Sequence, residues 1–342
     1  MLLNRFFHKS YPFLDWIQIE ISSYCNAQCI YCPHTIYAKN WQNRFMPVDV
    51  FETLLPAFKR TKLVHLQGWG EPFTHPHFVD MLRSVKKVGC QVGTTTNGML
   101  LDGEMIETLV KEGLDLIGFS LAGVDEKNDF IRKGTRINHV IDCIEKINNA
   151  KIKYGTDTPK MHIAYMLMRS GISDLEKLPA FLANIGAAQT VVSSLSLVAK
   201  RELESESILA SGEKEYLEFK KRLSDIRNSA SDLGANIHFH IVSSLFRESH
   251  CSENIHRALV IGSDGSVSPC VMTQIPFADK NCYYFKGQKE ILQKLSFGNT
   301  ADDSLNNIWH RQEYTQFIKT LLCGQTPNLC QNCYKRFIER YV

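Results

Sequence analysis

The sequence predicts an α/β chain in which strand–helix units build a parallel sheet and a smaller cysteine-rich module follows. Three observations carry this. Short apolar runs alternate with amphipathic stretches six times within the first 200 residues. The alternation gives way to a charge-rich, helical texture over 201–234. The eleven cysteines gather at the two ends of the chain, with three in 25–32 and six in 251–333.

The strands fall in runs rich in β-branched and aromatic residues: WIQIEIS (16–22), KLVHLQG (62–68), CQVGTTTN (90–97), LDLIGFSL (114–121), KMHIAYMLM (160–168) and TVVSSLSLV (190–198). Helical patterns separate them at 47–60, with Pro47 in an early turn, at 77–89 ended by Gly89, and at 104–113 ended by Gly113. Further helices run to about Ala150 and over 173–186. Strands joined by helices cross over and pair in parallel. Six units fit either a doubly wound sheet or a barrel short of eight strands, and in both the chemistry gathers at the carboxyl ends of the strands. The first cysteine trio follows the first strand, on that edge. The reading divides the chain into 1–200, a helical connector and strand over 201–243, and a small α+β cysteine-rich domain over 244–342.

Bulk properties narrow the class. The chain has 342 residues, 44% of them hydrophobic, and a formal net charge of +3, which shows no electrostatic footprint for nucleic acid or a membrane surface. No apolar run approaches the ~20 residues of a membrane span. The opening MLLNRFFHKS is short and interrupted by Arg5 and His8, unlike a signal-peptide core. The chain reads as cytoplasmic, so its cysteines point to metal or redox chemistry rather than disulfides.

Cys25, Cys29 and Cys32 are spaced C-x3-C-x2-C. Thiolates suit zinc, copper(I) or iron–sulfur clusters, and a structural zinc site wants four closed ligands. Three leave one corner of a 4Fe–4S cubane free; zinc or three buried thiols are the alternatives. CNAQCIYC, with Tyr31 just before the last cysteine, resembles the radical S-adenosylmethionine (SAM) superfamily. The resemblance covers the first 200 residues and implies a partial (β/α)6 barrel. It also implies SAM chelated at the open iron, one-electron cleavage of its sulfonium to a 5′-deoxyadenosyl radical, and hydrogen abstraction from a substrate. A flavodoxin- or ferredoxin-type donor would supply the electron.

The resemblance extends to the later strand ends. In LQGWGEPFTHP the family's Gly-Gly-Glu-Pro becomes Trp69, Gly70, Glu71 and Pro72, whose backbone would meet the SAM amino group. Thr96 and Asn97 end the third strand and Ser120 the fourth, where the family contacts SAM and its ribose. Arg132 in FIRKGT would pair with the SAM carboxylate, and Tyr31 would lie against the adenine. Ordinary roles compete: Asn97-Gly98 is a common turn pair, Ser120 a possible helix cap. His65, His75 and His77 read as packing or loop-fixing residues.

In the C-terminal third, Cys251 precedes and Cys270 ends IGSDGSVSPC, a hairpin pattern turning at Asp264-Gly265, and Cys330 and Cys333 form a C-x2-C knuckle. Zinc would satisfy four such thiolates equally well. The arrangement resembles the SPASM/Twitch extension of radical SAM enzymes, which implies auxiliary 4Fe–4S clusters. Phe337 stands where the full pattern has another cysteine, so the resemblance implies one auxiliary cluster, on Cys251, Cys270, Cys330 and Cys333. Cys90 and Cys143 read as core thiols. Cys282 and Cys323 remain open as substitute ligands, hydrogen-atom donors or ordinary cysteines.

Two clusters imply net oxidation, by dehydrogenation or cross-linking, of a small molecule or a peptide. Redox-neutral epimerisation or group transfer is the alternative, and an electron carrier or scaffold without SAM cleavage is the alternative from another class, with Trp69 in its favour. A zinc-stabilised nucleic-acid module is a third, with few local basic residues (Lys335, Arg336, Arg340) behind it. Only 24 residues precede Cys25, fewer than a peptide leader-binding domain needs. No general base stands out.

Overall fold

The computed structural model describes residues 13–187, 189–208, 212–242 and 251–341. The expected domain boundary at 243/244 lies outside the described residues.

Six parallel strands stand in chain order, β1 (Leu14–Ile19), β2 (Thr61–Leu66), β3 (Gln91–Thr96), β4 (Leu116–Leu121), β5 (Lys160–Leu167) and β6 (Gln189–Ser194). They match the six apolar runs of the sequence. The alternation continues further than six units: the helix Glu213–Asp232 leads into β7 (Asn236–Val242), which pairs in parallel with β6. The charge-rich segment is thus the exposed face of another crossover.

The C-terminal segment closes both edges of this sheet. β8 (Ala258–Ile261) pairs in parallel with β1, and β9 (Val267–Ser268) folds back antiparallel on β8. The turn between them holds Gly265 at φ +81°, with the Asp264 carboxylate accepting from Ser266 N–H, so the expected hairpin is present. After a separate hairpin of β10 (Asn281–Phe285) and β11 (Gln288–Leu292), the chain returns as β12 (Ile338–Tyr341), antiparallel to β7. The resulting sheet has ten strands.

Alternation along each strand sorts the side chains. In β4, Ile117, Phe119 and Leu121 are fully buried on one face, while Gly118 and Ser120 point to the other. Phe78, Met81, Leu82 and Val85 of the helix Phe78–Lys87 recur at helical spacing and join the same core. On the inner face room is scarce: a Cβ on Gly118 would come 2.4 Å from His162 Nε2. A second apolar cluster lies above the strand ends, where Ala27, Cys29, Tyr31 and Leu197 pack with Tyr283, Phe285, Tyr334 and Phe337 of the C-terminal region.

Two helices differ from the expectation. The 47–60 stretch splits into Val48–Glu52 and Leu55–Phe58. Pro56 has no N–H to give to the Glu52 carbonyl, so one continuous helix cannot form. The 173–186 stretch begins as a 3-10 helix, Arg169–Lys177, and becomes α-helical only over Leu178–Ile185, with Pro179 in its first turn.

Ile261 is fully buried where β8 meets β1. Ile261→Ala is expected to lower the unfolding free energy by about 2–5 kcal/mol in anaerobic urea titration of the metal-free chain. Ile152→Ala, at an 80% exposed position, should change it by about 0.5 kcal/mol or less.

Candidate functional site

The loop after β1 is shaped by its backbone. Gln28 N–H donates to Lys133 O at 2.7 Å and Ile30 N–H to Ile131 O at 3.0 Å, which lays the cysteine loop along the segment that carries Arg132. Cys32 N–H turns back to Cys29 O at 3.1 Å, and the short helix Pro33–Ile36 starts there. Asn97 Nδ2 donates to Asn26 Oδ1 at 2.8 Å, and Trp41 Nε1 to Ser23 O at 3.0 Å. The loop therefore touches three other parts of the chain and has little freedom of its own.

The next strand end approaches from beside it. Glu71 N–H donates to Tyr24 O at 2.7 Å. A Cβ on Gly70 would lie 2.3 Å from Ser22 O and 2.6 Å from Tyr24 O, so the two loops pass at a distance only glycine permits. The buried Glu71 carboxylate ties this stretch to β3 by accepting from Thr96 Oγ1 at 2.6 Å and Asn97 N–H at 2.8 Å. Burial raises its pKa to about 7, against the pull of those donors.

Together these elements surround a cavity of about 190 Å³ that is partly open to solvent. Cys25, Cys29 and Cys32 line it. So do Tyr31, Trp69, Gly70, Glu71, Thr96, Asn97, Ser120 and Arg132, so these eight residues named from the sequence meet in one cavity, while Pro72 does not line it. Ser120 caps no helix. Asn97 does turn the chain, accepting from Met99 N–H, while also facing the cavity. His75 fixes a loop through Met46 O, and His65 packs inside the barrel against Gln67 and Thr95.

Arg132 is the cation of this cavity. It is 8% exposed, Nη1 donates to Tyr31 Oη, and Nε has no partner. Burial opposes its charge, but the Tyr31 hydroxyl and the Cys29, Cys25 and Cys32 sulfurs hold the proton more strongly, and the net shift is upward. Burial pushes Cys25 to about 11 and Cys32 to about 12. Three thiols facing a cavity beside a buried, half-satisfied guanidinium fit a metal cluster with an anionic ligand next to it.

A second cavity, of about 50 Å³, is lined by Cys251, Cys270, Cys330 and Cys333. Cys251, Cys330 and Cys333 are each raised to about 12, chiefly by burial. The Glu253–Lys335 ion pair, 2.7 Å, forms part of its wall. Among the described residues no three His, Cys, Asp or Glu side chains converge closely enough to hold a single metal ion. Cys282 and Cys323 line neither cavity, and Cys90 and Cys143 are buried in the main core, as expected. Phe337 is buried against Phe285, ring centroids 5.0 Å apart. Ser196, Leu197 and Met272 line both cavities, so the two share a wall.

Residues 19–176 match the family model of the radical SAM superfamily, and residues 251–334 match that of SPASM, an iron-sulfur cluster-binding domain. The protein is a radical SAM enzyme. Its radical SAM and SPASM domains are the iron–sulfur and SAM-binding parts of the chain. A relative from Pyrococcus furiosus, described as a tungsten-containing aldehyde ferredoxin oxidoreductase cofactor-modifying protein, is 28% identical over 310 residues, covering 89% of this chain and 83% of the relative. The GTP 3′,8-cyclase of Chlorobaculum tepidum is 30% identical over 177 residues, 49% of each chain. Streptococcus suis SuiB, solved with S-adenosylmethionine, superposes with a TM-score of 0.65 at 17% identity over 95% of this chain and 72% of its own. Native anSMEcpe with bound AdoMet gives 0.64 at 17% identity, over 94% and 88%. These solved structures share the partial-barrel fold followed by a C-terminal domain. No helix among the described residues is long and apolar enough to cross a membrane.

Sequence reasoning passed over Glu20, Gln67, Met166, Leu195 and Met272. Glu20 offered a signal, an acid in an apolar strand; Met166, Leu195 and Met272 looked like core.

The radical SAM cavity depends on Gly70. Gly70→Ala is expected to destabilise the metal-free chain by about 1–3 kcal/mol in a thermal melt. It should also weaken SAM binding at least tenfold in equilibrium dialysis of the anaerobically reconstituted protein.

Proposed function

We propose that the chain holds a 4Fe–4S cluster on Cys25, Cys29 and Cys32 and binds SAM in the cavity beside it. It then carries out net oxidation, by dehydrogenation or cross-linking, of a small molecule or a peptide, assisted by one auxiliary 4Fe–4S cluster on Cys251, Cys270, Cys330 and Cys333. The observation that carries this reading is the convergence of the three thiols and all eight cofactor-contact residues on one cavity whose wall is shared with the four-thiol cavity. When bound, the clusters and SAM supply one-electron reductive cleavage, a hydrogen-abstracting radical and a one-electron acceptor.

The chain's own residues bind and orient. Arg132, kept charged and with Nε unpartnered, receives the SAM carboxylate. The backbone at Gly70, which lines the cavity, meets the amino group. Asn97 and Ser120 face the nucleoside, and Tyr31, steadied by its hydrogen bond to Arg132, closes the side of the cavity toward the adenine. Met166, Leu195, Leu197 and Met272 form an apolar wall that these contacts leave free, and the substrate lies against it. That wall keeps water from the reacting centre. The match of residues 251–334 to SPASM, an iron-sulfur cluster-binding domain, favours iron over zinc at the second site.

Both substrate classes have a counterpart among proteins of similar fold. SuiB has been solved with a precursor peptide, SuiA, and BtrN, of related fold with a TM-score of 0.52, with 2-DOIA. A flavodoxin- or ferredoxin-type protein delivers the electron.

Anaerobic reconstitution should load about eight irons per chain, and about four when Cys25, Cys29 and Cys32 are all alanine. Dithionite and SAM should yield 5′-deoxyadenosine from the wild type and none from that variant. About four irons and one zinc per wild-type chain would overturn the auxiliary cluster, and a fully loaded chain that leaves SAM intact would make the protein an electron carrier.

A further inference from the structure

Trp69 stands where the family's stretch has its first glycine, and nothing in the proposed SAM site uses its side chain. Its backbone N–H donates to Glu20 Oε1 at 2.7 Å. Its indole Nε1–H is shared between Gln274 O at 2.8 Å and Val271 O at 3.2 Å. Val271 directly follows Cys270, and Val271–Thr273 is a single 3-10 turn. That turn is braced from within: Thr273 N–H and Oγ1 both donate to Cys270 O, at 3.2 and 2.9 Å. It is anchored below by Gln274, 1% exposed, whose Oε1 accepts from Ser268 Oγ at 2.6 Å and Ser266 Oγ at 3.2 Å. Glu20, also 1% exposed, accepts from Ser263 Oγ at 3.3 Å, so the bonds run from β1 through Trp69 to the Cys270 turn and return through the β8–β9 turn. Met272, on the turn, lines both cavities.

We infer that Trp69 is a positioning residue for the auxiliary site: it locks the turn carrying Cys270 against the SAM cavity and sets the electronic environment of the cluster held there. The inference rests on the proposed auxiliary cluster. Donors near the ligating sulfurs and exclusion of water govern the potential of an iron–sulfur cluster. A glycine at position 69 would bring neither the indole N–H that reaches the two carbonyls nor the ring that lines the SAM cavity. Trp69→Phe separates these contributions, since it keeps a ring and removes the donor.

The experiment uses the full chain with Cys25, Cys29 and Cys32 replaced by alanine, so that the second site alone gives an iron–sulfur signal. Trp69→Phe in this background should change the reduced-to-oxidised ratio at the parent's midpoint potential at least threefold, about 28 mV for a one-electron couple, and shift the EPR g-values. In the metal-free chain the Thr273 and Gln274 amides should exchange with deuterium faster. A bound cluster with the same potential and g-values in both proteins overturns the inference, whatever the exchange rates, and leaves the proposed function standing. A second site that takes up no iron overturns both.

Discussion

Two backbone hydrogen bonds, Gln28 N–H to Lys133 O and Ile30 N–H to Ile131 O, hold the cysteine loop flat against the segment that follows β4. Without them the loop would be a flexible excursion between the first strand and the helix at Pro33. With them, three thiols and a buried guanidinium face one space, although about a hundred residues separate them in the chain. The close pass of Gly70 over Ser22 and Tyr24 completes the arrangement from the other side. The site is thus assembled by backbone contacts between strand ends, which tolerate changes of side chain such as Trp69 far better than changes of spacing.

The C-terminal region is more than an appendage. β8 extends the sheet beyond β1 and β12 extends it beyond β7, so the chain after 251 grips both edges of the barrel. Between these grips the second apolar cluster covers the carboxyl ends of the strands. The same packing covers part of the radical SAM cavity and brings the four-thiol cavity up to it. Tyr37, just past the cysteine loop, adds a direct tie by donating to the Ala199 and Cys282 carbonyls. The two cavities are consequently parts of one packed unit.

Much of this was legible in the sequence. The six strands were readable because each buries one or both faces and so carries a dense apolar run. The cysteine spacing was readable because thiolate chemistry has few uses in a chain of this kind. Other features were hidden for physical reasons. The helix and strand over 201–243 were legible, but their place as a seventh strand–helix unit of the sheet was masked by charge, since Glu213–Asp232 fully buries only Leu223, Ile226 and Ala230. β8 and β12 join the sheet through contacts distant in sequence, which no local pattern encodes. Arg132 was nameable through resemblance, but its unpartnered Nε was not. The role of the Trp69 indole depends on carbonyls some two hundred residues away.

The central claim is that the three-cysteine loop presents one open iron to SAM. The most direct test is electron–nuclear double resonance on the reduced protein carrying only the first cluster, with SAM labelled at its amino nitrogen and carboxylate oxygens. The account predicts hyperfine coupling from both labels, with the oxygen coupling lost in Arg132→Ala. A reduced cluster that shows no coupling to either label in the presence of saturating SAM would contradict it.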